Sequence, residues 1–113
     1  MRVLAVFDDL LLGSNVLGML RAAGHEAELT APAGARPAGH DVVIVDLAST
    51  DGVALVERLR AEDVLGDAKL LGVYSHVDIA TKERAEAAGF DLVVPRSRMA
   101  REGPSLVARV GGD

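Results

Sequence analysis

Four short apolar runs in this chain are each followed at once by side chains capable of chemistry. Asp8-Asp9 follow Val3 to Phe7, Asp46 follows Val42 to Val45, Ser75-His76 follow Leu70 to Tyr74, and Pro95-Arg96 follow Leu92 to Val94. Carboxylates brought together repel one another, and taking them out of water adds to the cost. If the first and third runs are neighbours, Asp8, Asp9 and Asp46 therefore need a cation, a basic side chain or a proton among them. A hard, oxygen-liganded ion such as Mg²⁺ suits such a set, because it keeps several waters and takes only one or two protein carboxylates. A single aspartate at a strand end is ordinarily just a helix cap. Three in this order point to a site.

The elements that must position these residues can be read from hydrophobic spacing. Apolar runs that do not alternate with polar residues suit strands buried on both faces, and Glu26 to Thr30, which does alternate, suits an edge strand. Between them, Leu12, Val16, Leu17 and Leu20 share one helical face, with Ser14 or Asn15 as the cap and Gly24 as the stop. A second helix follows Asp51 as N-cap, with Val53, Val56 and Leu59 inward and Arg58 and Arg60 outward. A third spans about Asp78 to Ala88, and the last begins near Pro104. The segment Ala31 to His40, rich in Pro and Gly, predicts a loop or a single turn where a crossover helix would otherwise stand.

This alternation predicts an α/β fold: a doubly wound, flavodoxin-like three-layer sandwich with a five-stranded parallel sheet and its second crossover helix reduced or absent. In such sheets ligands gather outside the carboxyl ends of the strands, where the four chemical clusters fall. One domain over residues 1–110 is expected, with Gly111-Gly112-Asp113 as a frayed tail.

Composition narrows the function classes. Half of the 113 residues are hydrophobic, which excludes a disordered acidic tail, and the formal charge of -5 argues against a nucleic-acid partner. The absence of cysteine removes any disulfide framework or thiolate metal site, and a cytoplasmic location is compatible with it. No apolar stretch is long enough to span a membrane.

Several features carry less. His25, His40 and His76 lack metal-ligand spacing, and His25 and His40 read as solvated loop residues. Ser75 and His76, adjacent in sequence, cannot adopt nucleophile and base geometry in an extended strand. Gly13 opens a strand-to-helix turn but lacks the three-glycine dinucleotide fingerprint. Arg96, Arg98 and Arg101 read as a solvated rim, or as an anion or partner contact beside the acidic cluster.

With VFDD at 6 to 9, VIVD at 43 to 46, GVYSH at 72 to 76 and AAGFDLVV at 87 to 94, the chain resembles the receiver domains of bacterial two-component response regulators, the CheY-like family, over nearly its whole length. The resemblance implies a strand order of 2-1-3-4-5 and that Asp8, Asp9 and Asp46 hold Mg²⁺. It also implies that Asp46 accepts a phosphoryl group from a histidine kinase and that Ser75 is the switch hydroxyl. Charge stabilisation and positioning do most of the work in such a transfer, and no enzymatic turnover beyond it is implied. Implied partners are a histidine kinase or another signalling protein. A homodimer through the face of the third helix, fifth strand and last helix is also implied, although Ala85, Ala88 and Leu106 there suit the core equally well.

Three departures fall near the acceptor. Pro95 stands where the family has a lysine, leaving Arg96 or Arg98 as the candidate substitute with a different reach. The loop Leu47 to Gly52 is short and lacks the family's proline, and the second crossover is reduced. The leading reading is a stand-alone phosphorelay receiver with Asp46 as acceptor. The alternative is a phosphorylation-independent pseudo-receiver that acts as a protein-interaction module. A small-molecule binder using the pocket between the strand ends is a weaker third.

Overall fold

A strand with no polar face must be covered on both sides, and the chain meets that demand with helices alternating across one sheet. The computed structural model describes residues 1–75 and 77–112. In chain order these form β1 (Arg2–Val6), α1 (Leu10–Ala22), β2 (Glu26–Thr30), a single 3-10 turn (Pro32–Gly34) and β3 (Val42–Asp46). There follow α2 (Gly52–Ala61), β4 (Lys69–Tyr74), α3 (Ile79–Ala87), β5 (Leu92–Pro95) and α4 (Arg96–Val110). The five strands are parallel, as the alternation predicts, and lie in the order β2-β1-β3-β4-β5 that the family resemblance implies. His76 and Asp113, the last residue of the expected frayed tail, lie outside the described residues.

Strand residues point alternately to two cores. Val3, Ala5, Phe7, Val42, Ile44, Leu71 and Val73 pack against Val16 and Leu20 of α1 and against Met99, Leu106 and Val107 of α4. Leu4, Val6, Val43, Val45, Leu70 and Val93 pack against Leu55, Val56 and Leu59 of α2, with Ala85 and Phe90. Ala85 and Leu106 thus belong to the core and not to a docking face. On α2, Leu55 takes the fully buried place expected for Val53, which is only half-buried.

Two helices begin earlier than the sequence predicts. Asp9, not Ser14 or Asn15, caps α1, its carboxylate accepting from the N–H groups of Leu11 and Leu12. α4 begins at Arg96 and carries Pro104 in its interior. An interior proline costs roughly 3 kcal/mol, but Met99, Gly103, Leu106 and Val107 form a buried stripe on both sides of it, and that burial outweighs the loss.

The reduced crossover is held by polar contacts in place of a helix. Arg58, turned inward where an outward position is expected, donates to the carbonyl of Pro32 at 3.1 Å, and Ala35 fills the core beneath. His40 is buried, not solvated: its Nδ1 accepts from the Ala38 N–H at 2.9 Å and its Nε2 lies 3.2 Å from Glu28 Oε1. The ring ties the loop back to the edge strand.

Two glycines permit close approach. A Cβ on Gly13 would lie 2.7 Å from Leu29 Cδ1 and 3.0 Å from Phe7 Cβ, so Gly13 lets α1 close on the sheet. On β4, a Cβ on Gly72 would lie 2.7 Å from Leu47 Cδ1 and 3.1 Å from Phe90 Cδ2. Leu47 follows Asp46 directly, and Gly72 leaves the room that keeps it buried. Gly72→Ala is expected to lower stability by about 1–3 kcal/mol through overpacking, read as a lower urea midpoint with an unchanged slope.

Candidate functional site

Asp46 is the last residue of β3 and is 0% exposed. A carboxylate so placed must be paired, since its water has been lost and an unpaired buried charge costs several kcal/mol. Three donors meet it. The Ala48 N–H reaches Oδ1 at 3.1 Å in an Asx turn, and the Ser49 hydroxyl reaches Oδ2 at 2.9 Å. Arg96 Nη2 lies 3.2 Å from Oδ2 and 3.4 Å from Oδ1, a charged contact to both oxygens.

Sheet register explains why an arginine can do this. Asp46 pairs with Val73, Val73 with Val94, and Tyr74 with Pro95. Arg96 therefore starts from two strands away, about 10 Å sideways at the usual strand spacing. Only a long side chain bridges that gap. Pro95 is extended (φ -69°, ψ 155°) and caps α4 without a side-chain hydrogen bond, which makes Arg96 the first helical residue. A cation there sits at the positive end of the helix dipole, and no acidic residue in the first turn offsets it. Asp46 supplies the missing negative charge.

The other implied site residues share this edge but not this contact. Asp8 and Asp9 are exposed, and the Oδ1 of Asp9 is committed to capping α1. Ser75 is half-buried at the end of β4, where its carbonyl accepts from the Asp78 N–H at 2.8 Å. Asp78 then caps α3: the Thr81 hydroxyl, at 2.6 Å, and the Thr81 N–H hold its carboxyl below the usual aspartate range. Among the described residues no three His, Cys, Asp or Glu side chains are grouped so as to hold a metal ion. With both oxygens of Asp46 engaged and Asp9 capping a helix, the three acids do not form a ready Mg²⁺ donor set in this arrangement. Of the remaining rim arginines, Arg98 pairs with Glu102 at 3.3 Å and Arg101 donates to the Ser97 carbonyl.

Sequence reasoning missed Ser49 and Thr50. Ser49 stands three residues after Asp46, a spacing that suits a local hydroxyl-to-carboxylate bond. The Thr50 hydroxyl and Arg96 Nε are buried without a hydrogen-bond partner among the described residues. Asp8, Ser49, Thr50 and Asp51 line an open cavity of about 400 Å³ with Ala31, Pro32 and Ala33, at the start of the reduced crossover. A larger cavity, about 560 Å³, lies at the opposite end of the sheet beside Lys69 and Asp91, away from these groups. The large exposed apolar residues of the described chain are Leu10 (61%), Leu11 (75%), Val77 (77%) and Ile79 (50%), all on loops or first helical turns at the Asp46 edge.

Solved structures match this fold closely. The chemotaxis protein CheY4 of Vibrio cholerae is 24% identical with a TM-score of 0.80, over 96% of this chain and 97% of that one. A CheY-like receiver domain from Methylobacillus flagellatus is 23% identical with a TM-score of 0.78, over 97% and 98%. The HemR receiver domain of Leptospira biflexa, 23% identical, gives a TM-score of 0.76 over 99% and 94%. No protein-family model matches the sequence, and no curated protein does. The fold is that of response-regulator receiver domains, and the resemblance read from the sequence holds at that level. Among the described residues no helix is long and apolar enough to cross a membrane.

If Arg96 holds Asp46, the two must be energetically coupled. A double-mutant cycle with Arg96→Ala and Asp46→Asn, read by urea unfolding in EDTA, is expected to give a coupling of about 1–3 kcal/mol. That is below the full value of a buried pair, because the Arg96 side chain is 39% exposed. Arg96→Ala alone should cost more than the double variant.

Proposed function

We propose that this chain is a receiver-like signalling module that acts through protein contact and not through phosphoryl transfer. The observation that carries this reading is the state of Asp46, fully buried with both oxygens engaged by Ala48, Ser49 and Arg96. In-line attack on a phosphoryl donor needs a free, accessible oxygen, and here the aspartate at the acceptor position serves as the anchor of its own loop. Leu10, Leu11, Val77 and Ile79, exposed at this carboxyl edge, offer apolar contact points for a signalling partner.

A second reading keeps Asp46 as a Mg²⁺-dependent phosphoacceptor with Ser75 as the switch hydroxyl. Its support is positional: Asp46 ends β3 and Ser75 follows β4 at one edge of a receiver fold. It requires Arg96 to leave the carboxylate before any transfer.

The two readings separate when beryllium fluoride, a phosphoryl mimic, is added with millimolar Mg²⁺ while backbone amides are observed. The proposed function predicts no perturbation at Asp46, Ser49 or Ser75. A perturbation that disappears in Asp46→Asn would establish the acceptor reading in its place.

A further inference from the structure

We infer that Arg96 is a built-in cation for Asp46: its guanidinium takes the neutralising role for which a divalent ion is implied, so the site has no use for Mg²⁺ until Arg96 is removed. The inference rests on the locked state of Asp46 proposed above and deepens it by assigning the source of the positive charge.

The charge count at this edge supports the assignment. One carboxylate is fully buried, and one guanidinium lies within 3.4 Å of both its oxygens. A divalent ion added to that pair would meet a cation already in place, and its ligands would be short. Asp9 is committed to the first turn of α1, the Ser49 hydroxyl already bonds Asp46, and Asp8 is exposed and lines the same cavity as Ser49. Mg²⁺ needs about six oxygens in near-octahedral geometry and usually keeps several waters, so water would have to enter where the guanidinium now lies.

Truncating Arg96 would open space beside Asp46, whose partner Ser49 also lines the roughly 400 Å³ cavity with Asp8, Thr50 and Asp51. The uncompensated carboxylate would then draw a hydrated divalent ion, with Asp46 as its main anchor. The same chain would pass from cation-independent to cation-dependent stability by loss of a single side chain.

The test titrates Mn²⁺ and Mg²⁺ into the full chain with no phosphoryl donor or mimic present. Amide broadening by Mn²⁺ and the melting temperature in Mg²⁺ are the two signals. The wild type is expected to show neither Mn²⁺ broadening at Ser49 and Thr50 nor a melting shift at millimolar ion. Arg96→Ala is expected to melt about 5 to 15 °C lower in EDTA, and to regain at least half of that loss in millimolar Mg²⁺. It should also acquire Mn²⁺ broadening at Ser49 and Thr50, and both gains should vanish in Asp46→Asn/Arg96→Ala. If Arg96→Ala does not fold, Arg96→Gln, which keeps much of the length without the charge, is read by the same two signals.

Mn²⁺ broadening centred on Asp46 in the wild type overturns the inference, and so does an arginine variant that gains no response to either ion. Because no phosphoryl mimic is present, such a failure stands apart from failure of the proposed function, which the beryllium fluoride experiment decides.

Discussion

A carboxylate removed from water at the end of a central strand must be neutralised, and the carboxyl edge of this protein is arranged around that demand. Asp46 cannot be left unpaired without a cost of several kcal/mol, a substantial part of what holds a domain of this size together. The response is local on one side and distant on the other. Ala48 and Ser49 bend the β3–α2 loop back onto the carboxylate, while Arg96 reaches across β4 from the start of α4. One residue thereby fixes the course of the loop after β3, the entry of α4 and the charge balance between them.

The rest of the fold accommodates this geometry. Gly72 leaves room for Leu47, which keeps the loop after Asp46 anchored, and the stripe of Met99, Leu106 and Val107 holds α4 against the sheet despite Pro104. With α4 fixed in this way, the position of Arg96 is set by packing and not by the ion pair alone. The reduced second crossover has the opposite effect. It replaces a helix with a loop tied down by Arg58 and His40, and it leaves an open cavity bordered by Asp8 and Ser49. The edge thus combines a fully buried, fully engaged carboxylate with exposed apolar residues around it.

Much of the architecture was legible in the sequence, because continuous apolar runs and helical stripes report burial directly. The parallel sheet followed from the alternation of elements and its strand order from the family resemblance, and Asp51, Asp78, Gly24 and Gly89 marked the helix ends correctly. Helix starts were less legible where one residue type served two ends. Asp9, expected among the metal-site acids, also caps α1, and Pro104 read as a start and proved to be interior. His40 read as solvated because its partner Glu28 lies on β2, across the loop from it. The chemical clusters were visible as strand-end residues, and Arg96 was a candidate substitute for the family lysine. That it bonds Asp46, and that Ser49 joins it, depends on two strand spacings and a loop conformation that no local pattern encodes.

The measurement that bears most directly on this account is a high-resolution crystal structure of the wild-type protein grown in millimolar Mg²⁺. The account predicts the Arg96 guanidinium within hydrogen-bond reach of both Asp46 oxygens, with Ser49 completing the cluster and no ion between them. An octahedral, water-rich ion on Asp46, with Arg96 turned out into solvent, would contradict it.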